Sequence, residues 1–162
     1  MSDNFDQIRE EKRVTAAEPK QYLTFGVNGE DYGVDIMTVR EIKGWTETTR
    51  LPNSPAYMRG VMNLRGLIIP IFDLYTRFTG KPTEANTKHV IIILAVGERN
   101  IGILVDGVSD ILTVNEGDIR PAPEVDSSTN TDFISGLISI EGRMVVLLEI
   151  KHLFQHVDLV AA

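Results

Sequence analysis

A weak internal duplication constrains this 162-residue chain more than any other feature. Aligning Gly33 with Gly102, an offset of 69, pairs Val27 with Val96, Val34 with Ile103, Val39 with Val108 and Ile42 with Ile111. Past a longer loop the offset becomes 76, and Gly60 falls on Gly136, Gly66 on Gly142, Asp73 on Glu149 and Phe78 on Phe154. Identity is sparse, yet element order, glycine placement and a closing helix behind an acidic residue recur together. Such a chain is expected to form two small barrels of about 70 residues, each too small to bury a sufficient core alone, that share apolar surface along a seam. A seam of this kind is a natural groove for a partner.

Within each copy the signal is mostly β. Leu23, Phe25 and Val27 alternate with Tyr22, Thr24 and Gly26, the turn former Asn28-Gly29 follows, and Tyr32, Val34 and Ile36 then share a face, so the segment reads as a hairpin. The spacing of Ile36, Val39 and Ile42 by three predicts about a turn and a half of helix after it, with Gly44 as its stop. Pro52-Asn53-Ser54-Pro55 is a loop. Val61 to Leu64 and Leu67 to Phe72 read as strands joined across Arg65-Gly66, and Pro70 makes the second an edge strand, or bulged, at that point. Asp73 stands where an N-cap belongs, ahead of Leu74, Tyr75 and Phe78.

Composition excludes several functions. The 16 Lys and Arg against 23 Asp and Glu leave a net charge of -7, which disfavours nucleic acid as a partner. Cysteine is absent, which removes disulfides, thiolate nucleophiles and Cys-bearing zinc sites. The longest apolar run, Val90 to Val96, is far short of the roughly 20 residues that span a bilayer, so no membrane insertion is expected. The charged residues 1–19 and the short segment 157–162 read as tails around a domain at 20–156, with the copies at about 20–86 and 87–156. The repeat brings Asp73 and Glu149 into equivalent places, but each precedes a short apolar helix, where a carboxylate caps backbone N–H groups rather than serving as an acid or base. His152 and His156 have a ligand spacing without a third ligand, and Ser109 and Ser135 lack a nucleophile elbow. Neither catalysis, a metal nor a cofactor is expected.

Four stretches, in order between Lys20 and Phe154, carry a resemblance: YGVDIMTVREIKGW, RLPNSPAYMRGVMNLRGLIIPIFDL, GILVDGVSDILTV, and Arg120-Pro121 within IRPAPE. Together they resemble the bacterial chemotaxis coupling proteins of the CheW family. The resemblance implies a mainly β fold of two SH3-like five-stranded β-barrels related by pseudo-two-fold symmetry, with short helices. It implies a non-enzymatic, cytoplasmic adaptor, recruited to receptor arrays at the inner face of the membrane. Such an adaptor joins the cytoplasmic tips of methyl-accepting chemoreceptors to the regulatory domain of the histidine kinase CheA. At this length no fused kinase or receiver module is expected.

Carried over residue by residue, Val39, Gly60, Asn63, Leu64, Arg65 and Ile91 fall on the receptor side, and Ile36, Glu41 and Arg120 on the kinase side. The expected mode is helix-in-groove: the apolar stripe of a receptor's two-helix tip lies in the seam, Asn63 and Arg65 fix its register, and the kinase uses other faces. Asn63-Leu64-Arg65-Gly66 is the turn at which the copies differ in charge, since the second copy has Glu141 in place of Arg65. Tyr75 departs from the family pattern, where many members carry arginine, so that residue's role is not carried over. The alternative function is a double-barrel coupling module for another sensor kinase or motility system.

Overall fold

The computed structural model describes residues 19–123 and 132–154. Strands β1 (Lys20–Val27) and β2 (Glu30–Asp35) form a hairpin, a single 3-10 turn covers Ile36–Thr38, and β3 (Val39–Gly44), β4 (Met58–Leu64), β5 (Leu67–Asp73) and helix α1 (Leu74–Thr79) complete the first copy. The second runs through β6 (Val90–Val96), β7 (Arg99–Val105), β8 (Gly107–Val114), a 3-10 turn at Glu116–Asp118, β9 (Ile134–Ile140), β10 (Arg143–Leu148) and helix α2 (Ile150–Leu153). At the offset of 76, β9 begins and ends where β4 does, and α2 begins where α1 does. The hairpin turns follow suit. Arg65 and Gly66 at φ 50° and 88° match Glu141 and Gly142 at φ 50° and 79°, the left-handed pair that a two-residue hairpin loop requires.

The fold is mainly β, with two five-stranded sheets, as the resemblance implies. The copies do not map one to each sheet, however. One sheet has the order β8-β1-β2-β10-β9 and the other β3-β6-β7-β5-β4, so each copy donates its first hairpin to the sheet built from the remaining strands of the other. The junctions are parallel: β2 pairs with β10 through Tyr32↔Val146, and β5 with β7 through Phe72↔Ile103. The expectation of one barrel per contiguous half is thereby corrected.

This exchange gives the central strands two buried faces. Tyr22 of β1 enters one barrel interior with Val114, Ile138, Val145 and Leu147, while Leu23, Phe25 and Val27 enter a core shared by both sheets. On the other side, Ile91 and Ile93 of β6 enter the second interior with Met62, Leu64, Ile69, Ile71 and Leu104, and Ile92 and Leu94 face the shared core. Side chains alternate across a strand, so one β run feeds two cores. The seam expected to be an open groove is therefore filled, with Phe72 stacked on Phe154 at 4.3 Å between centroids. The duplicated glycines Gly33 and Gly102 make room inside the barrels: a Cβ at Gly102 would lie 2.5 Å from Ile71 Cδ1, and one at Gly33 3.0 Å from Leu147 Cδ2.

The helix expected over Ile36 to Ile42 is a second correction. Asp35 caps one 3-10 turn by accepting from the Met37 N–H at 2.9 Å, and the chain then extends into β3, paired with β6. The spacing of three fits a helix face, but the β-branched Val39 and Ile42 suit a strand and the pairing with β6 decides for it, with Ile42 facing outward at 47% exposure. Pro70 is accommodated because β5, although interior, meets β7 only from Ile71 onward. Residues 1–18 of the N-terminal tail, the C-terminal tail and His156 lie outside the described residues.

Because each sheet needs strands from both copies, fragments 1–83 and 87–162 expressed separately should be unfolded or aggregated, and mixing them should restore a cooperative melt. Monomeric fragments that each melt cooperatively would show that strand exchange contributes little.

Candidate partner-binding surface

The β4–β5 turn stands beside β3 on the outside of its barrel. Asn63 Oδ1 accepts from the Gly66 N–H at 2.8 Å, which pins the turn, and Arg65 projects from it with its side chain 73% exposed. Arg65 Nη2 donates to Glu41 Oε2 at 2.5 Å, and Lys43 Nζ approaches the other carboxylate oxygen at 4.0 Å. The hydrogen bond from Arg65 is the largest influence and holds the Glu41 carboxyl below the usual glutamate range; desolvation opposes it, and the charges of Arg65 and then Lys43 add lesser lowering effects. The same bond raises the Arg65 guanidinium above its ordinary value. Arg65, carried over as a receptor contact, and Glu41, carried over as a kinase contact, thus share one ion pair, so at this point the two sets do not lie on separate faces.

The remaining residues of the two sets divide by burial. Asn63 is exposed, Val39 and Ile36 are half-buried against the shared core, and Leu64 and Ile91 lie inside the barrel, Ile91 completely. Ile91 therefore offers no surface of its own; it supports the strand that pairs with β3. Gly60 is buried too, at φ 126°, and a Cβ there would stand 2.2 Å from the Thr49 carbonyl oxygen. Its place is fixed by the close crossing of the segment that pairs Thr49 with Val61. Arg120 lies apart from the ion pair, exposed, on a segment joined to Leu137 by two backbone hydrogen bonds of 2.9 and 2.7 Å. It borders a cleft of about 580 Å³ that Asp35, Thr38, Glu149 and Lys151 also line.

Sequence reading missed the exposed apolar side chains that adjoin the two paired residues along the chain. Ile42 follows Glu41, and Leu67 and Ile68, 56% and 61% exposed, follow the Arg65-Gly66 turn. Their strand alternation is hidden by the unbroken Leu67-Ile68-Ile69 run, and the spacing of Ile42 from Val39 and Ile36 points to a helix instead. Asp73 behaves as a structural cap: it is buried, and accepts from the Thr76 N–H at 3.2 Å, from Thr83 Oγ1 at 3.0 Å and from Arg59 at 3.2 Å. Glu149 does not cap α2, which corrects the expectation for the second copy. Tyr75, at the position that departs from the family pattern, packs half-buried against the shared core.

These features agree with known proteins. The family model described as the CheW-like domain matches residues 21–158. The probable chemotaxis protein CheW of Rhizobium etli is 44% identical over 143 residues, covering 88% of this chain and 92% of that protein. The chemotaxis protein CheW of Klebsiella aerogenes is 41% identical, covering 83% and 81%. The crystal structure of the scaffolding protein TtCheW from Thermoanaerobacter tengcongensis superposes with a TM-score of 0.76 at 32% identity, covering 84% of this chain and 88% of that one. The chain is a two-barrel scaffold rather than an enzyme. It belongs to the CheW-like family of chemotaxis proteins.

Two outcomes are expected. Gly60→Ala should destabilise the fold by about 3 kcal/mol or more, because its Cβ meets backbone rather than a movable side chain, so any loss of binding should come with a lowered melting temperature. A Gly60→Ala variant that melts normally would return Gly60 to the surface. In a carboxyl-detected NMR titration Glu41 should titrate below ordinary glutamates, and Arg65→Gln should move it back up. Its folded pKa is depressed, so what it adds to stability is present above the unfolded value and is lost as pH falls through the folded one.

Proposed function

We propose that this chain couples methyl-accepting chemoreceptors to the histidine kinase CheA in the cytoplasm, binding the receptor's cytoplasmic tip and the kinase regulatory domain at once and controlling the kinase through assembly at receptor arrays. The observation that carries this reading is the Arg65–Glu41 pair, which joins a residue matched to receptor contacts with one matched to kinase contacts. Family membership supports the scaffold class, and the exposed Ile42, Leu67 and Ile68 supply apolar surface near the pair. With the seam filled, the receptor's apolar stripe has to lie over the outer β3 and β4–β5 surface, not between the barrels. Val39 and Asn63 then belong to that surface, while Leu64, Ile91 and Gly60 shape it from beneath. Ile36 and Arg120 extend the kinase side toward the cleft. Among the described residues no helix is long and apolar enough to cross a membrane, so attachment to an array would come through these contacts.

A shared pair changes what a charge reversal does. Arg65→Glu removes a donor and sets two carboxylates side by side, while the backbone tolerates it because Glu141 occupies the matching turn at the same φ. The melting temperature should stay within a degree or two, as for most surface substitutions. Affinity for a receptor cytoplasmic fragment should fall by about tenfold or more, the equivalent of one charge-assisted hydrogen bond. Affinity for the kinase regulatory domain should fall as well, and Glu41→Arg combined with Arg65→Glu should recover part of both. Titration calorimetry with the two purified partners measures this. A folded wild-type chain that binds neither would overturn the coupling role and favour a different sensor kinase or motility system.

A further inference from the structure

The cleft of about 580 Å³ is bordered by a backbone frame that recurs in the first copy, where an ion pair closes it. Its wall includes Ser135 on β9 and Glu149 at the end of β10, which correspond at the offset of 76 to Arg59 on β4 and Asp73. The registers agree, since Ile134 pairs with Leu148 as Met58 pairs with Phe72. The backbone agrees as well: Glu149 N–H donates to the Phe133 carbonyl and Asp73 N–H to the Tyr57 carbonyl, both at 2.7 Å. In the closed copy the Arg59 guanidinium lies 3.2 Å from Asp73 Oδ2, donates to the Thr83 carbonyl at 3.0 Å and stacks over Trp45 at 4.9 Å. In the open copy serine replaces that arginine. Among the described residues, no ion pair or side-chain hydrogen bond reaches the Glu149 carboxylate.

We infer that the Ser135–Glu149 cleft is a binding site for an arginine side chain presented by a partner polypeptide, which would pair its guanidinium with Glu149 as Arg59 pairs with Asp73. In the first copy the equivalent backbone positions hold a guanidinium against a carboxylate. Tyr22, Asp35 and Glu116 line the cleft too, Tyr22 buried and the two carboxylates exposed, and the Tyr22 phenol is pushed up by burial and then by the carboxylates of Asp35, Glu116 and Glu149. Lys20, Arg120 and Lys151 also border the cleft, but all three are exposed to solvent, whereas Glu149 is half-buried. The pattern to be matched is that of Arg59, whose Nη1 serves both Asp73 and the Thr83 carbonyl while its Cζ lies over the Trp45 ring, so the occupant inferred is a guanidinium rather than an ammonium. The site differs in place and chemistry from the Arg65–Glu41 pair, and its test does not depend on the identity of receptor or kinase.

The experiment is an amide NMR titration of the whole chain with the peptide acetyl-Gly-Gly-Arg-Gly-Gly-amide and its lysine and citrulline counterparts. The arginine peptide should shift the amides of Ser135, Glu149 and Ile150 and saturate at least about fivefold more tightly than the lysine peptide, with citrulline giving no saturable shift. Glu149→Gln should weaken arginine binding about tenfold without lowering the melting temperature. Ser135→Arg, which installs the copy's own plug, should abolish it and hold or raise the melting temperature; if that variant fails to fold, Glu149→Gln decides alone. Equal binding of arginine and citrulline peptides, or no response at these amides, overturns the inference. So does a Glu149→Gln variant that melts lower while binding the peptide normally, which would mean that the carboxylate serves its own chain, through Arg120 for instance.

Discussion

Two hairpins exchanged between the copies set the terms for the rest of the molecule. Since β1-β2 and β6-β7 each sit among strands of the other copy, their side chains must satisfy a barrel interior on one face and the shared core on the other. Few residue types allow that. Burying a Leu, Ile or Phe contributes roughly 1.5–3 kcal/mol, and the β6 run Ile91-Ile92-Ile93-Leu94 collects it on both faces without interruption. The same geometry punishes bulk where three strands converge, so glycine stands at both Gly33 and Gly102, the pair on which the repeat aligns. Neither copy has a core to fall back on, and the pair folds as one.

Filling the seam leaves function to the outer surfaces and to the places where duplication has been broken. The β4–β5 and β9–β10 turns share their backbone and differ in charge. At the cap position, both copies keep an acidic residue in front of a short helix, but among the described residues only Asp73 is saturated by partners. The crossings near Gly60 and Gly136 are alike in excluding a side chain: a Cβ at Gly136 would lie 2.4 Å from Ile119 Cγ2. Such shared features are demands of the fold, whereas the broken ones cost the fold little to vary, and it is there that recognition chemistry can accumulate.

Much of this was legible in the sequence. The strands, the Asn28-Gly29 and Arg65-Gly66 turns, the Asp73 cap and the duplication follow from local chemistry, in which period, left-handed turn residues and capping oxygens act over a few positions. The strand exchange was not legible, because a repeat fixes which elements are equivalent but not which copy they pair with. The misread at Ile36 to Ile42 has a different origin: a spacing of three in so short a segment fits a helix face, and only pairing with β6 decides for the strand. Carried-over site residues behaved in the same way. Arg65 and Asn63 are exposed because a hairpin turn must be, but nothing local to Ile91 or Gly60 could tell that they are interior. The Glu41–Arg65 bond links positions 24 residues apart, a distance that only the closed barrel removes.

The paired turns also separate two questions that single-copy proteins confound. An arginine at φ 50° sits in a region that costs an L-residue on the order of 1 kcal/mol, and if that cost were borne only at Arg65 it would itself argue for a special role. Glu141 bears the same cost at the same angle, so the strain belongs to the two-residue hairpin loop and carries no information about binding. What is particular to Arg65 is its reach to Glu41. The residue equivalent to Glu41 in the second copy is Asp110, whose Oδ1 accepts instead from the adjacent Ile111 N–H at 2.8 Å, and Glu141 could not pair with a carboxylate in any case. The ion pair is therefore a property of one copy alone, built on a backbone that both copies share, and its chemistry can be altered without asking the fold to change.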